Sequence, residues 1–461
     1  MLGSEEAVKR LSPWKLVNQR NIFKGGRELP GYEIVGIQQA DYLELFQKFG
    51  YSYGPQESYK LDHIAYVVLG EKKLSYEEFG NLYTLYKENH QKFIDYNIKD
   101  VQLVDRIDEK MGLISLALTM AYKGGVNLND TFGTTSIWES IIYRRLLSQK
   151  IVSPINQIQK VPYAVVGNPD SDNRQSIAGG YVKDPQVGAH DWVVSFDLNS
   201  LYPNIIVQYN ISPETLLHNH NIRFPSGPEK YFNNLDKVDD TYSVTASGVP
   251  FIKEKQGIIP ELIVDYYAER SQIKRKMLDA KSEYEKTHAK HLEAEINQLE
   301  NNQMAIKILL NSLYGALGNV HFKYFDLRLA EGVTLSGQLA IRWAERAVNG
   351  EMNKLLKSDK DYVVAIDTDS LYVNFNPLVQ QFKPNDPVKF LDKICNEHFE
   401  KVLKSSYDKL YHNMNAYDNR MVMGREVIAD RGIWTAKKRY ILNVHNNEGV
   451  QYTEPKLKIM G

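Results

Sequence analysis

Between Pro260 and about Asn319 the chain is nearly free of Gly and Pro, and its apolar positions keep a helical rhythm. Tyr266, Ile273, Met277, Tyr284, Ile296 and Leu299 trace one stripe while charges fill the other face. A single rod of that length would reach ~90 Å at 1.5 Å per residue. The pattern therefore predicts two long antiparallel helices with a polar turn around 280–295. Similar spacing predicts a helix over Tyr76–Met111, further helices near 136–148 and 387–410, and one beyond Gly337. Strand rhythm appears elsewhere. "DWVVSFDLNSLYPNII" (191–206) reads as a strand through Leu198, a turn, and a helix with Pro203 in its first turn. "VVAIDTDSLYVNF" (363–375) reads as a strand pair, and terminal strands contain "KKRYILNV". The stretch 151–190, rich in Pro, Asn, Gly and Asp, is the clearest boundary, and no internal repeat is visible.

Two acids interrupt the apolar run at Asp367 and Asp369. Strand residues i and i+2 share a face, so both are expected to point the same way, with a bound cation as the simplest partner. Asp-Thr-Asp is also good turn chemistry, which makes a solvated hairpin turn the competing reading. Asp170-Ser-Asp172 has the same spacing with no strand around it, so a metal site needs a further carboxylate. Asp197 supplies it, at the end of its own strand on the face of Val193 and Ser195. Strand ends expose backbone amides, and a following helix N-terminus can take phosphate oxygens. An Asp from each of two strands suits a two-metal phosphoryl-transfer centre. Cys395 is the only cysteine, which excludes disulfides within this chain and multi-cysteine metal sites. Oxygen ligands favour magnesium, manganese or calcium.

The length of 461 residues predicts several sub-domains, and 43% hydrophobic with 25% charged residues is ordinary for a globular protein. The best apolar run, "LISLALTMAY", is half a membrane span, and "MLGSEEAVKR" has no signal pattern, so no membrane partner and a cytoplasmic setting are expected. A net charge of -1 does not suggest a nucleic-acid partner, but basic residues cluster in 269–276 and 435–440 beside aromatics. Arg270 and Lys274 are four apart on the first long helix; Lys307, Asn311 and Tyr314 are spaced four and three apart on the second. Such a set can grip a triphosphate, although a salt-bridged surface hairpin explains any one of them. Gly315, inside a helical pattern, asks for a reason.

"SFDLNSLYPNIIVQYNISPETL", "KILLNSLYGALGNVHFKYFD", "DTDSLYV" and "WTAKKRY" resemble, in order and spacing, the motifs of family B DNA polymerases, most nearly those of T-even-like bacteriophages. The resemblance implies an α+β fold: a palm of antiparallel sheet and helices, a helical-hairpin fingers subdomain and a partial RNase H-like exonuclease domain. It implies the C-terminal part of the exonuclease in 1–112, a linker segment in 113–168, palm in 169–256 and 320–461, and fingers in 257–319. Asp197 and Asp369 match the metal-holding catalytic aspartates, with Asp367 in support. Ser200, Leu201 and Tyr202 match the nucleotide floor, Tyr202 excluding a 2′-hydroxyl. Arg270, Lys274, Lys307 and Asn311 match phosphate-holding positions, and Tyr314 and Gly315 positions packed against the new base pair. Lys438 and Tyr440 match residues along the primer–template minor groove, and Gly179 and Gly180 a template-contact segment. The implied cofactors are two Mg2+ ions, with Mn2+ as a substitute, and the implied partners primer–template DNA, dNTPs and a sliding clamp.

Some positions depart from that pattern. Ile366 stands where glycine is usual, Ile177 where tyrosine is usual, and the fingers helices look short. Tyr96 and Asp100 resemble the last exonuclease motif, but no Asp-x-Glu precedes them, and the chain stops where relatives would continue into a thumb. These ends raise the expectation of a split polymerase completed by partner fragments, or of an incomplete gene, in either case without exonuclease activity from this chain alone. A decayed DNA-binding remnant and an RNA-copying enzyme are the alternatives.

Overall fold

The structure, a computed structural model, describes residues 5–24, 27–50, 53–153, 179–217, 224–233 and 236–461. The chain forms two compact units, Met1–Ile137 with Lys276–Ala305, and Trp138–Arg275 with Ile306–Gly461. Helices and antiparallel sheet are mixed throughout, which makes the class α+β. Among the described residues no helix is long and apolar enough to cross a membrane.

The first unit opens with α1 (Glu5–Lys9) and an antiparallel pair, β1 (Val17–Lys24) and β2 (Arg27–Ile34). Then follow α2 (Tyr42–Phe49), α3 (Leu61–Leu69), α4 (Leu82–Glu88), α5 (His90–Met111) and α6 (Leu113–Gly124). The single helix expected over Tyr76–Met111 is thus three pieces, beginning with a 3-10 turn at Glu77–Phe79. Gly80, at φ +71°, stops that turn, and the Asn81 and Asn89 side chains accept from the Thr84 and Lys92 N–H groups to start α4 and α5. Two N-caps interrupt what the apolar period alone reads as continuous. Phe46, Leu85, Leu103, Ile107 and Ala117 are core residues of this unit.

α7 (Thr134–Ser148) bears out the stretch expected near 136–148. The central strand β3 (Gly188–Leu198) leads into α8 (Leu201–Tyr209), and a two-residue ladder, β4 (Ser243–Val244) with β5 (Pro250–Phe251), follows. The predicted helical pair is α9 (Ile258–Thr287) and α10 (Lys290–Leu317), broken at His288, whose φ is +50°. Both helices continue from one unit into the other. In the second unit Trp138, fully buried, donates its indole N–H to the Leu309 carbonyl at 3.1 Å and meets the Tyr266 ring edge-on.

The next helix, α11 (Leu327–Leu356), begins well before Gly337, because the Asp326 side chain caps it through the Arg328 N–H. Gly332 and Gly337 lie inside it as contact glycines: a Cβ at Gly337 would stand 3.1 Å from the Tyr202 ring. β6 (Val363–Asp367), β7 (Ser370–Asn374), α12 (Asn376–Phe382), α13 (Pro387–Ile394) and α14 (Glu400–Asn413) complete the middle of the unit. A π-helical turn over Cys395–Phe399 separates the last two helices, where one helix was expected near 387–410. β8 (Met423–Ala436), β9 (Arg439–Asn447) and β10 (Val450–Met460) close a six-stranded antiparallel sheet of order β10-β9-β8-β3-β7-β6. Val193 to Phe196 are buried on both faces of β3, which explains its nearly unbroken apolar run.

Candidate active site

The β3–β7 register sets Asp197 opposite Ser370, the first residue of β7. Ser370 Oγ donates to Asp197 Oδ2 at 2.7 Å, and the Leu198 N–H donates to the Asp369 carbonyl at 3.0 Å. The strand containing Asp197 therefore holds the second acid from its C-terminal side, through the Asp369 carbonyl and Ser370. Asp367 ends β6, whereas Thr368 and Asp369 form the two-residue turn to β7, with Thr368 at φ +58°. The expectation that Asp367 and Asp369 share a strand face is corrected by this turn. Turn chemistry wins over alternation because Asp367 already pairs across the hairpin with Ser370.

Electrostatics separates the acids. Asp197 is half-buried, and its carboxyl is pushed up to about 7, first by burial; the Ser370 hydrogen bond opposes this, and the nearby charges of Asp369 and Glu426 add to it. Asp369 is raised by burial and then, against its own backbone hydrogen bond, by Asp367 and Glu426. Asp367 instead pairs with Lys438 Nζ at 3.2 Å, and Glu426 with Lys458 Nζ at 3.1 Å. Ser195, at an irregularity in the β3–β8 ladder, donates to Glu426 Oε2 at 3.2 Å. Four carboxylates and two ammonium groups leave this corner net negative. Glu426, Lys458 and Ser370 were not anticipated; an acid among the apolar residues of "MGREVIAD" was the available signal.

Mutual repulsion between Asp197 and Asp369 is what a divalent cation would relieve, so the donor set fits an oxygen-bound Mg2+ or Mn2+. Among the described residues no three His, Cys, Asp or Glu side chains gather as a complete metal cage. A magnesium held by one or two carboxylates with substrate oxygens needs none.

Beside the acids, Ser200 (φ +43°) opens α8, and the Leu201 side chain is buried. The Tyr202 ring lies 4.6 Å from that of Tyr314. Its hydroxyl is pushed up to about 12 by burial, then by Tyr314 and Asp369. Gly180 closes the other side: a Cβ there would stand 2.8 Å from Thr368 and 3.0 Å from the Tyr202 hydroxyl. The neighbouring Gly179 carbonyl accepts from Gln338 at 2.6 Å. Arg270 is half-buried on α9, where its charge acts on Tyr267, while Lys274, Lys307 and Asn311 are exposed. Gly315 is exposed with open space where a Cβ would be. A cavity of about 560 Å³ lined by Ile142, Leu146, Leu216, Ile258 and Phe325 among others shares none of these residues.

Lys438 sits at φ +60° in the β8–β9 turn. Tyr440, expected along a duplex surface, is only 6% exposed. Its hydroxyl bonds that of Tyr372 at 2.7 Å and its ring stacks on Trp434, because β9 alternation turns it into the sheet's core. Ile366 is buried at 1% exposure, and Ile177 lies outside the described residues, as do Asp170 and Asp172. In the first unit, Tyr96 is buried and Asp100 pairs with Lys73 Nζ at 2.7 Å, that ammonium lying 4.7 Å from the Tyr96 ring centre.

A sequence profile described as DNA polymerase family B matches residues 134–416. The chain belongs to DNA polymerase family B. This family B chain is similar to the DNA-directed DNA polymerase of Escherichia phage RB69, with 34% identity over 99% of the chain and 55% of the relative. It is similar to that of Enterobacteria phage T4, with 33% identity over 100% of the chain and 56% of the relative. DNA polymerase 1 of Pyrococcus abyssi is 30% identical over 58% of the chain and 28% of its own length. The chain thus spans about half the length of the phage relatives it matches.

Proposed function

We propose that this chain carries out template-directed DNA synthesis, joining a deoxynucleotide to a primer 3′-hydroxyl. The observation that carries this reading is the approach of Asp369, in the turn that opens β7, to Asp197 at the end of β3, each raised in pKa by burial and by neighbouring acids. Asp197 and Asp369 would hold Mg2+ or Mn2+, and two such ions, when bound, supply activation of the primer hydroxyl and stabilisation of the pyrophosphate leaving group. Lys438 neutralises Asp367 and keeps that acid out of competition. The N-terminal amides of α8 and the cations Arg270, Lys274 and Lys307 receive the triphosphate, with Asn311 beside them. Tyr202, wedged among Tyr314, Gly180 and Gly337, forms a floor with no room for a 2′-hydroxyl. In this reading 169–256 and 320–461 are palm and 257–319 fingers. Segment 1–112, with Tyr96 and Asp100, is part of an exonuclease fold, and 113–168 is the linker.

The test is primer extension with Mg2+, run with deoxynucleotides and ribonucleotides in parallel and with Asp369→Ala as control. Deoxynucleotide-selective extension lost in the variant is the expected result. DNA binding without extension, unchanged in Asp369→Ala, would instead identify a nonenzymatic remnant. Repeating the assay with polypeptides carrying the unmatched regions of the phage relatives, or a sliding clamp, measures whether partner chains raise processivity.

A further inference from the structure

Lys183 has no part in the site so far, yet its half-buried ammonium uses all three donors: Glu345 Oε1 at 2.6 Å, Asp361 Oδ2 at 2.5 Å and the Val363 carbonyl at 3.0 Å. These partners lie on α11, just before β6 and in β6. Lys183 belongs to a strap, 179–186, that runs along β6, the last strand of the sheet. The Gln186 N–H donates to the Val364 carbonyl at 2.9 Å and the Lys183 N–H to that of Ile366 at 3.2 Å. At the strap's far end the Thr368 N–H donates to the Tyr181 carbonyl at 2.9 Å. Helix α11 grips the same strap at successive turns: Gln338 holds the Gly179 carbonyl, the Arg342 guanidinium lies 5.0 Å from the Tyr181 ring centre, and Glu345 holds Lys183.

Thr368 is the reason this clamp matters. A β-branched residue at φ +58° is strained, and such a conformation persists only where its surroundings over-determine it. On one side β3 holds the Asp369 carbonyl; on the other, the strap holds the Thr368 amide. We propose that Lys183 is a positioning residue for the two-acid turn: by locking the strap between α11 and the β6 edge, it fixes Thr368 and so keeps Asp369 beside the end of β3 and Asp197. The consequence for metal rests on the polymerase reading above; the consequence for the Thr368 amide does not.

The experiment uses the full chain with Lys183→Met, Lys183→Arg, and the double variant Lys183→Met/Glu345→Gln, which removes the more buried of the two carboxylate charges left without their ammonium partner. Hydrogen exchange of a peptide spanning Thr368 and the loss of free Mn2+ signal on titration are read beside thermal melts. Lys183→Met, or the double variant if the single one does not fold, should exchange Thr368 about tenfold faster and bind Mn2+ about tenfold more weakly while still melting cooperatively. Lys183→Arg should recover most of both. A folded variant lacking the lysine whose Thr368 exchange matches the parent overturns the proposal. Asp369→Ala, run in parallel, separates the two ideas: Mn2+ binding unchanged there refutes the metal reading, and Thr368 exchange still judges the clamp.

Discussion

Replacing Asp197 by Asn should make the metal-free protein more stable while abolishing extension, and the gain should grow with pH. In the folded chain this carboxyl moves from 3.8 to about 7, through burial opposed by Ser370 and then the charges of Asp369 and Glu426. An acid raised in the folded state keeps its proton where the unfolded chain has released it, so stability falls as pH climbs from about 4 to 7. At 1.36 kcal/mol per unit, the shift sets a ceiling of ~4 kcal/mol. Because the side chain is only half-buried, solvent screening reduces the expected figure to about 1–2 kcal/mol. Asparagine keeps an oxygen to accept from Ser370 and carries no charge. Melting curves in EDTA should therefore lie close together at pH 4.5, and the variant should melt about 1–3 °C higher at pH 8. Added Mn2+ should then raise the parent at pH 8 and leave the variant nearly unmoved, since only the parent keeps both acids. Equal melting temperatures at pH 8 without metal, or an advantage that shrinks as pH rises, would refute the repulsion argument.

Tyr202→Ala should admit ribonucleotides at least about tenfold more readily relative to deoxynucleotides, measured as a ratio of kcat/KM values, because in the proposed reading the ring, set against Tyr314, fills the space a 2′-hydroxyl would need. Gly180→Ala should cost about 1–3 kcal/mol of stability by denaturant melting and slow extension, since its Cβ would meet Thr368 at 2.8 Å. Trp138→Ala should cost about 3–5 kcal/mol, removing a fully buried ring and the donor to the Leu309 carbonyl. Chelation with EDTA should stop extension, and excess Mg2+ should restore it.

What could be read along the chain was whatever depended on near neighbours. The pair α9 and α10 was legible because sixty residues of helical rhythm cannot stay straight in a compact unit, and the break at His288 falls in the polar stretch where it was expected. The same rhythm misled over Tyr76–Met111, where two Asn side chains cap new helices without disturbing the apolar period. It also placed a break at Gly337, whose lack of a side chain answers to Tyr202, far away in sequence. Tyr440 was placed along a duplex by the resemblance of its motif alone, although strand alternation carries its ring inward to Tyr372 and Trp434. Glu426 stood out only as an acid among apolar residues, and its meaning, like that of Lys458, arises only when β8 and β10 bring them towards Asp197.

The hairpin turn changes how the acids are understood. Two carboxylates on one strand face would be equivalent neighbours, both repelled and both available. On a turn they divide: Asp367 ends a strand and pairs directly with Lys438, whereas Asp369 projects from the turn among Asp367, Glu426 and a hydroxyl-bonded Asp197, with the Lys438 charge opposing their effect only weakly. Removing Lys438 should therefore free Asp367 to compete for a cation. Lys438→Met is expected to bind Mn2+ more tightly in total yet extend primers more slowly, whereas a simple loss of DNA contact would slow extension with Mn2+ binding unaltered. The two measurements together decide between a lysine that serves the duplex and one that keeps the acids distinct.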